Sequence, residues 1–178
     1  MVKALLILPD GFEEIEAVSP IDILRRAEVD VTVASLSSSS TAVKGRSNIT
    51  LTADTLLESV KGETYDLLVL PGGPGTKAMR EDARVVEITK RHCSEGKKVG
   101  AICAAPTVLK EAGVLPAKYT AHFSVAEALP NILPDKVVVD GNIITSTGAG
   151  TATDFGLALV TAVCGKEKSD AVAKAIAF

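Results

Sequence analysis

The sequence lacks any long apolar run. Its opening, MVKALLILPDG, carries a single lysine before a short apolar stretch that Pro9, Asp10 and Gly11 end. That stretch is too short for the core of a signal peptide, and no later segment reaches the length of a membrane span. A basic patch is also missing: Lys and Arg number 19 against 22 Asp and Glu, the formal net charge is −3, and the cations are scattered. This excludes an electrostatic footprint for nucleic acid or an anionic membrane and leaves small molecules or proteins as partners. Cysteine is scarce. Three residues, Cys93, Cys103 and Cys164, form neither an even set nor a closely spaced one, so they supply no disulfide framework and no zinc knuckle. A cytoplasmic, reducing location is expected. No internal repeat is visible and LSSSSTAV, Leu36 to Val43, reads as a solvated loop rather than a linker, so residues 1–178 read as one domain. The balance of 47% hydrophobic and 23% charged residues is that of an ordinary globular protein.

What is present is an alternation of short β-branched runs with amphipathic stretches, the pattern of βαβ units and an α/β fold with a mostly parallel sheet. Strands are predicted at Lys3 to Leu8, Val31 to Ser35, Asp66 to Leu70 and Lys98 to Ile102, with a shorter one near Tyr119 to Ala121. Val137 to Asp140 and Ile143 to Ser146 flank Gly141-Asn142, a two-residue hairpin signal. Helices are predicted over Glu13 to Ala27, where Pro20 removes one backbone hydrogen bond, over Thr151 to Cys164 with Gly165 as its stop, and over Glu167 to Ala177.

Cys103 falls one residue past the apolar segment Val99 to Ile102 and just before a helix opened by Pro106. Side chains there meet ligands at the carboxyl ends of parallel strands, and a thiol beside free helical N–H groups is favoured as thiolate. Free cysteine is otherwise a small buried hydrophobe. Cys93 and Cys164, near the ends of helical patterns, read that way. Position alone singles out Cys103.

Two glycine-rich turns follow strands. In DLLVLPGGPGTKAM, Gly72 and Gly73 bring backbone to the sheet's carboxyl edge between two stiffening prolines, either as fixed N–H donors for an oxyanion or as a plain tight turn. In STGAGTATDFG, Gly148 and Gly150 cap either the same pocket or only the following helix. Among Glu13, Glu14 and Glu16, the first two read as solvated carboxylates favoured by the helix dipole. With Ile15, Val18 and Ile23 marking the buried side, Glu16 leans toward the sheet's carboxyl edge, where a neighbouring apolar site would raise its pKa.

AICAAPTVL, LPGGPG, GFEEIEAVSPIDILRRA and TSTGAGTATDF, in that spacing over essentially the whole chain, resemble the ThiJ/PfpI superfamily, in its branch of parkinsonism-associated deglycases, the DJ-one branch. The resemblance implies a flavodoxin-like three-layer sandwich, a homodimer, and a cysteine on a strained nucleophile elbow. By position it implies Cys103 as the reactive cysteine, Glu16 as its protonated carboxyl partner and His122, in YTAHFS, as the nearby histidine. Gly72, Gly73 and Ala104 would form the oxyanion pocket. Read without the resemblance, His122 is a loop histidine with an ordinary hydrogen-bonding role.

There are departures from the family pattern. Ala104 follows the cysteine where protease-type members carry histidine, which speaks against a peptidase triad. Ala105 replaces a glycine and Ala149 a proline. Thr147 replaces an arginine beside the pocket, which speaks against preference for an anionic substrate. The resemblance implies a glutathione-independent glyoxalase or deglycase acting on methylglyoxal, glyoxal or their early adducts, without metal or organic cofactor. Two other classes of function remain open: a peroxide sensor or redox-regulated chaperone with Cys103 as sulfinic acid, and a non-catalytic dimeric binding protein.

Overall fold

The computed structural model describes residues 1–178 and alternates strands and helices as the pattern predicts. In chain order the elements are β1 (Lys3–Leu8), α1 (Glu14–Arg26), β2 (Asp30–Ser35), β3 (Ala42–Lys44), β4 (Thr50–Thr52), β5 (Thr55–Leu56), α2 (Leu57–Val60) and β6 (Leu67–Leu70). They continue with α3 (Thr76–Glu81), α4 (Ala83–Ser94), β7 (Lys98–Ile102), α5 (Pro106–Glu111), β8 (Val137–Asp140), β9 (Ile143–Ser146), α6 (Ala152–Cys164) and α7 (Lys166–Ala175). Seven strands form one sheet in the order β5-β2-β1-β6-β7-β9-β8, parallel except for the β8–β9 hairpin. Its two-residue turn has φ +61° at Gly141, which glycine adopts without strain.

Strand alternation builds the layers. Ala4, Leu6 and Leu8 of β1 join one core with Ile23, Leu24, Phe155 and Leu159 of α1 and α6. Leu5 and Ile7 point the other way, into a second core with Met79, Val85, Ile88, Val108 and Leu109 of α3, α4 and α5. Side chains two apart share a face of a strand, so a run that is apolar throughout is buried on both sides. The result is the flavodoxin-like α/β sandwich. From β1 the chain goes first to β2 on one side and later to β6 on the other, so the crevice of this sheet lies at the carboxyl ends of β1 and β6. Close packing fixes β7 nearby. A side chain at Gly100 would lie 2.6 Å from Leu159 Cδ2 and 2.9 Å from the Phe155 ring, so α6 rests directly on that strand.

Four expectations are corrected. Tyr119 to Ala121 is buried but forms no strand. Its backbone is satisfied piecemeal: the Thr120 N–H donates to Thr145 Oγ1 at 2.9 Å, and the Tyr119 carbonyl accepts from the Leu133 N–H at 2.9 Å. The predicted solvated loop ends early, because Ala42 to Lys44 pairs with Thr50 to Thr52 as an antiparallel hairpin that buries Val43. On α1, Ile15 and Val18 are exposed while Glu14, Glu16, Ala17, Pro20, Ile23 and Leu24 face inward. Nor are Glu13 and Glu14 solvated. Glu13 is the buried N-cap, accepting the Glu16 N–H at 2.8 Å, and buried Glu14 accepts the Ser47 N–H at 2.7 Å, tying the β3–β4 hairpin to the helix. These backbone donors hold the carboxylates inward, so the inner face of the helix start belongs to Glu13, Glu14 and Glu16 and not to Ile15 and Val18.

Candidate functional site

Cys103 stands alone between β7 and the turn that leads into α5, with φ +65°, a left-handed backbone that costs a non-glycine residue about 1–3 kcal/mol. Both its backbone groups are held: its N–H donates to the Ser146 carbonyl and its carbonyl accepts the His122 N–H, each at 2.9 Å. Three segments thus lock the elbow, and the thiol is left half-buried.

Glu16 is 1% exposed and approaches that thiol from the first turn of α1. Its Oε2 accepts the Gly72 N–H at 3.0 Å, and the same carboxyl lies close enough to the Cys103 thiol for each to shift the other's titration. Gly72 is wedged between the two. A Cβ there would clash with Glu16 Oε2 and lie 2.6 Å from Cys103 Cβ, so any side chain would push thiol and carboxyl apart. The Gly72 donor therefore serves the carboxyl rather than the sulfur, whereas the N–H groups of Gly73 and Ala104 favour the thiolate form of Cys103. Gly73 has φ +95°, and a Cβ on it would sit 2.6 Å from both the Glu13 nitrogen and the Gly11 oxygen.

Burial raises the Glu16 carboxyl to about 7; the Cys103 hydrogen bond pulls it down, the Glu13 charge pushes it up, and the Gly72 N–H and Arg46 lower it. Burial likewise pushes the Cys103 thiol up to about 12, with the charge of Glu16 and its hydrogen bond adding to the rise. The Gly73 and Ala104 N–H groups act in the opposite sense. The helix-terminus effect expected from sequence is therefore outweighed while Glu16 is ionised. Together the pair holds one negative charge over a wide pH range, and moving its remaining proton from sulfur to Glu16 is what creates a thiolate.

His122 lines the same cavity, of about 500 Å³, as Cys103, Glu16, Gly73 and Ala104. Its Nδ1 accepts the Ser124 N–H at 3.3 Å and faces Ser124 Oγ at 2.8 Å, so the neutral ring carries its proton on Nε2. Gly148 separates this ring from the carboxyl: a Cβ there would lie 3.4 Å from His122 Cδ2 and 3.7 Å from Glu16 Oε1. The second glycine turn thus serves both the pocket, which Ala149 also lines, and the helix, where the Gly148 N–H donates to Thr151 Oγ1. Cys93 and Cys164 stay away from the cavity, and burial raises both thiols. No group of three or more His, Cys, Asp or Glu side chains is arranged to hold a metal ion.

Sequence reasoning missed the rest of the wall. Arg46 comes from the turn of the β3–β4 hairpin, Lys77 and Arg80 from successive turns of α3, and Thr107 and Ser124 add hydroxyls. Lys77 and Arg80, three residues apart directly after the Gly-Pro turn, carried a signal that was legible. Arg46 carried none, since only the fold of the hairpin brings it here.

The chain matches the model of the DJ-1/PfpI family over residues 2–162. It is 43% identical to the dj-1beta protein of Drosophila melanogaster over 180 residues, covering 98% of this chain and 96% of that one. To the glutathione-independent glyoxalase DJR-1.2 of Caenorhabditis elegans it is 36% identical, with 97% and 94% covered. The fold is similar to that of oxidized Toxoplasma gondii DJ-1, with a TM-score of 0.95, 35% identity and 100% and 99% of the two chains covered.

Proposed function

Because this chain belongs to the DJ-1/PfpI family, in which one relative bears the name of a glutathione-independent glyoxalase, we propose that it is a cysteine-dependent glyoxalase acting on small 2-oxoaldehydes such as methylglyoxal, or on their early adducts. The observation that carries this reading is the Cys103–Glu16 pair, a thiol and a buried carboxyl brought to either side of one glycine. Glu16 takes the thiol proton as Sγ adds to the aldehyde carbon. An S–C bond forms, the carbonyl π bond opens, and the alkoxide is met by the Gly73 and Ala104 N–H groups before it takes a proton from Glu16. The Glu16 carboxylate then removes the hydrogen on the former aldehyde carbon and returns it to the neighbouring carbon through an enediolate, while the hydroxyl proton on the first carbon passes to the oxygen of the second, leaving a thioester carbonyl and a 2-hydroxyl. His122 Nε2–H is the donor to the second carbonyl oxygen. The product is a thioester, which water cleaves to lactate and the free thiol. One carbon is oxidised and its neighbour reduced, so the net reaction adds only water and uses no cofactor.

The test is lactate formation from methylglyoxal without glutathione. Turnover by the wild type that Cys103→Ser and Glu16→Ala both abolish supports the reading; turnover surviving Cys103→Ser overturns it.

A redox role uses the same atoms: peroxide would convert the thiolate to sulfenic and then sulfinic acid, with Glu16 donating a hydrogen bond to the new oxygen. The half-buried thiol favours it, and a structural relative is described as oxidized. Selective sulfinic acid formation at Cys103 in dilute peroxide, without methylglyoxal turnover, would decide for it. Assembly as a homodimer would cover Ile15, Val18 and Ile49, large apolar side chains that are exposed on α1 and before β4. No helix is long and apolar enough to cross a membrane.

A further inference from the structure

The chain has six arginines, and four of them are engaged. Arg25 pairs with Asp54, Arg26 with Asp22, Arg84 with Asp82 and Glu58, and Arg91 donates to the Lys61 and Glu63 carbonyls. Arg46 and Arg80 have no ion pair and no side-chain hydrogen bond, and both line the cavity that holds Cys103. Lys77 lines it too, with only a 4.0 Å contact to exposed Glu81. Facing these three cations are two carboxylates that already have partners: Glu13 accepts from the Glu16 N–H, and Glu16 from the Gly72 N–H. An unpaired guanidinium, five donors in a rigid fork, suits a carboxylate or phosphate and leaves a neutral dicarbonyl without use for it.

We propose that the cavity selects carbonyl substrates bearing an oxyanion, a carboxylate or phosphate, seated against Arg46, Lys77 and Arg80 while Cys103 attacks the carbonyl. This rests on the reading of Cys103 as a nucleophile toward aldehydes and names the class of substrate it takes. Thr147 stands where an arginine would favour such a substrate, but the cavity draws its positive charge from α3 and the β3–β4 hairpin instead. Lys77 and Arg80 lie on the helix that follows Gly73, so the strand and turn that bring an N–H donor to the sulfur also bring the anion-binding side chains.

The test compares two reagents that differ in charge and alkylate the same thiol, iodoacetate and iodoacetamide, with the Cys103 adduct read by mass spectrometry. Their rate ratio cancels the thiolate fraction and needs no turnover, so it stands apart from the glyoxalase assay. At low salt the ratio is expected to exceed that of N-acetylcysteinamide about fivefold or more, and to fall as salt is added. The double variant Lys77→Gln/Arg80→Gln should bring it to the reference value, while remote Lys174→Gln leaves it unchanged. Protection of Cys103 from iodoacetamide by inorganic phosphate or by acetate, at constant ionic strength, then tells which oxyanion fits. A ratio at or below the reference, a ratio indifferent to the double variant, or protection by neither anion overturns the proposal. Failure of methylglyoxal turnover with the ratio intact would instead remove the glyoxalase reading and leave an anion-selective thiol site.

Discussion

Replacing Glu16 by glutamine should make the protein more stable at neutral and alkaline pH while removing its chemistry. Glutamine keeps the size of the side chain and an oxygen for the Gly72 N–H, so the change removes the charge and little else. In the folded state the carboxyl is raised from 4.5 to about 7. Between those values the folded protein binds a proton that the unfolded chain has released, so stability falls as pH rises through the window. The shift corresponds to about 3 kcal/mol, from 1.36 kcal/mol per pKa unit; it is absent below about pH 4.5 and complete above about pH 7. In the wild type the Cys103 thiol stays protonated well beyond this range and so adds nothing to that curve. The chain has no tryptophan, so urea unfolding is followed by far-ultraviolet circular dichroism. The difference between wild type and Glu16→Gln, measured from about pH 4 to about pH 8, cancels the other titrating groups and should move by about 3 kcal/mol in favour of the variant. Parallel curves for the two proteins would refute the idea that this site is held against a cost in burying charge.

Methylglyoxal turnover should rise with pH through a midpoint near 7, because Glu16 must be ionised to take the thiol proton; a flat profile from about pH 5.5 to about pH 8.5 would count against Glu16 as that base. Gly73→Ala meets backbone on two sides at φ +95° and should cost about 3 kcal/mol or more in urea unfolding, with turnover reduced at least about a hundredfold as the donor to the sulfur shifts. A folded Gly73→Ala protein with normal turnover would remove Gly73 from the oxyanion pocket. Thr145→Val strips the acceptor from the buried Thr120 N–H and should cost about 1–3 kcal/mol, measured by the same unfolding assay.

The parts of this protein that are legible in sequence are those where one local rule governs. Beyond the opening lysines of β1 and β7, the strands β1, β6 and β7 are apolar, with Pro9 and Pro71 closing the first two, and Cys103 is placed by counting one residue past such a strand. Helical spacing only leans Glu16 toward the sheet's carboxyl edge, and its pairing with Cys103 comes from the family resemblance; Ile15 and Val18 look like a buried stripe, yet Glu14 and Glu16 turn inward because loop N–H groups at Ser47 and Gly72 receive them. Those donors lie 33 and 56 residues away, beyond any window of periodicity. The strands β3 and β4, three residues each, are too short to alternate recognisably. Tyr119 to Ala121 has the composition of a strand but meets side-chain partners instead of a ladder. Of the three cations only Arg46 is hidden in the sequence, since a hairpin turn carries it to the helix that bears Lys77 and Arg80.

Glu16, the Gly72–Gly73 turn, Cys103, His122 and Gly148 come from five separate stretches of chain, and the backbone of Cys103 is itself held by Ser146 and His122. No fragment contains the site, and no partly folded state that leaves out β9 can pin the elbow. Contacts of such long sequence separation form late, after the entropy of closing large loops has been overcome. On the proposed function, the reactivity of this one thiol would report whether the whole sheet has closed, because the elbow that sets it is pinned only when β9 is in place.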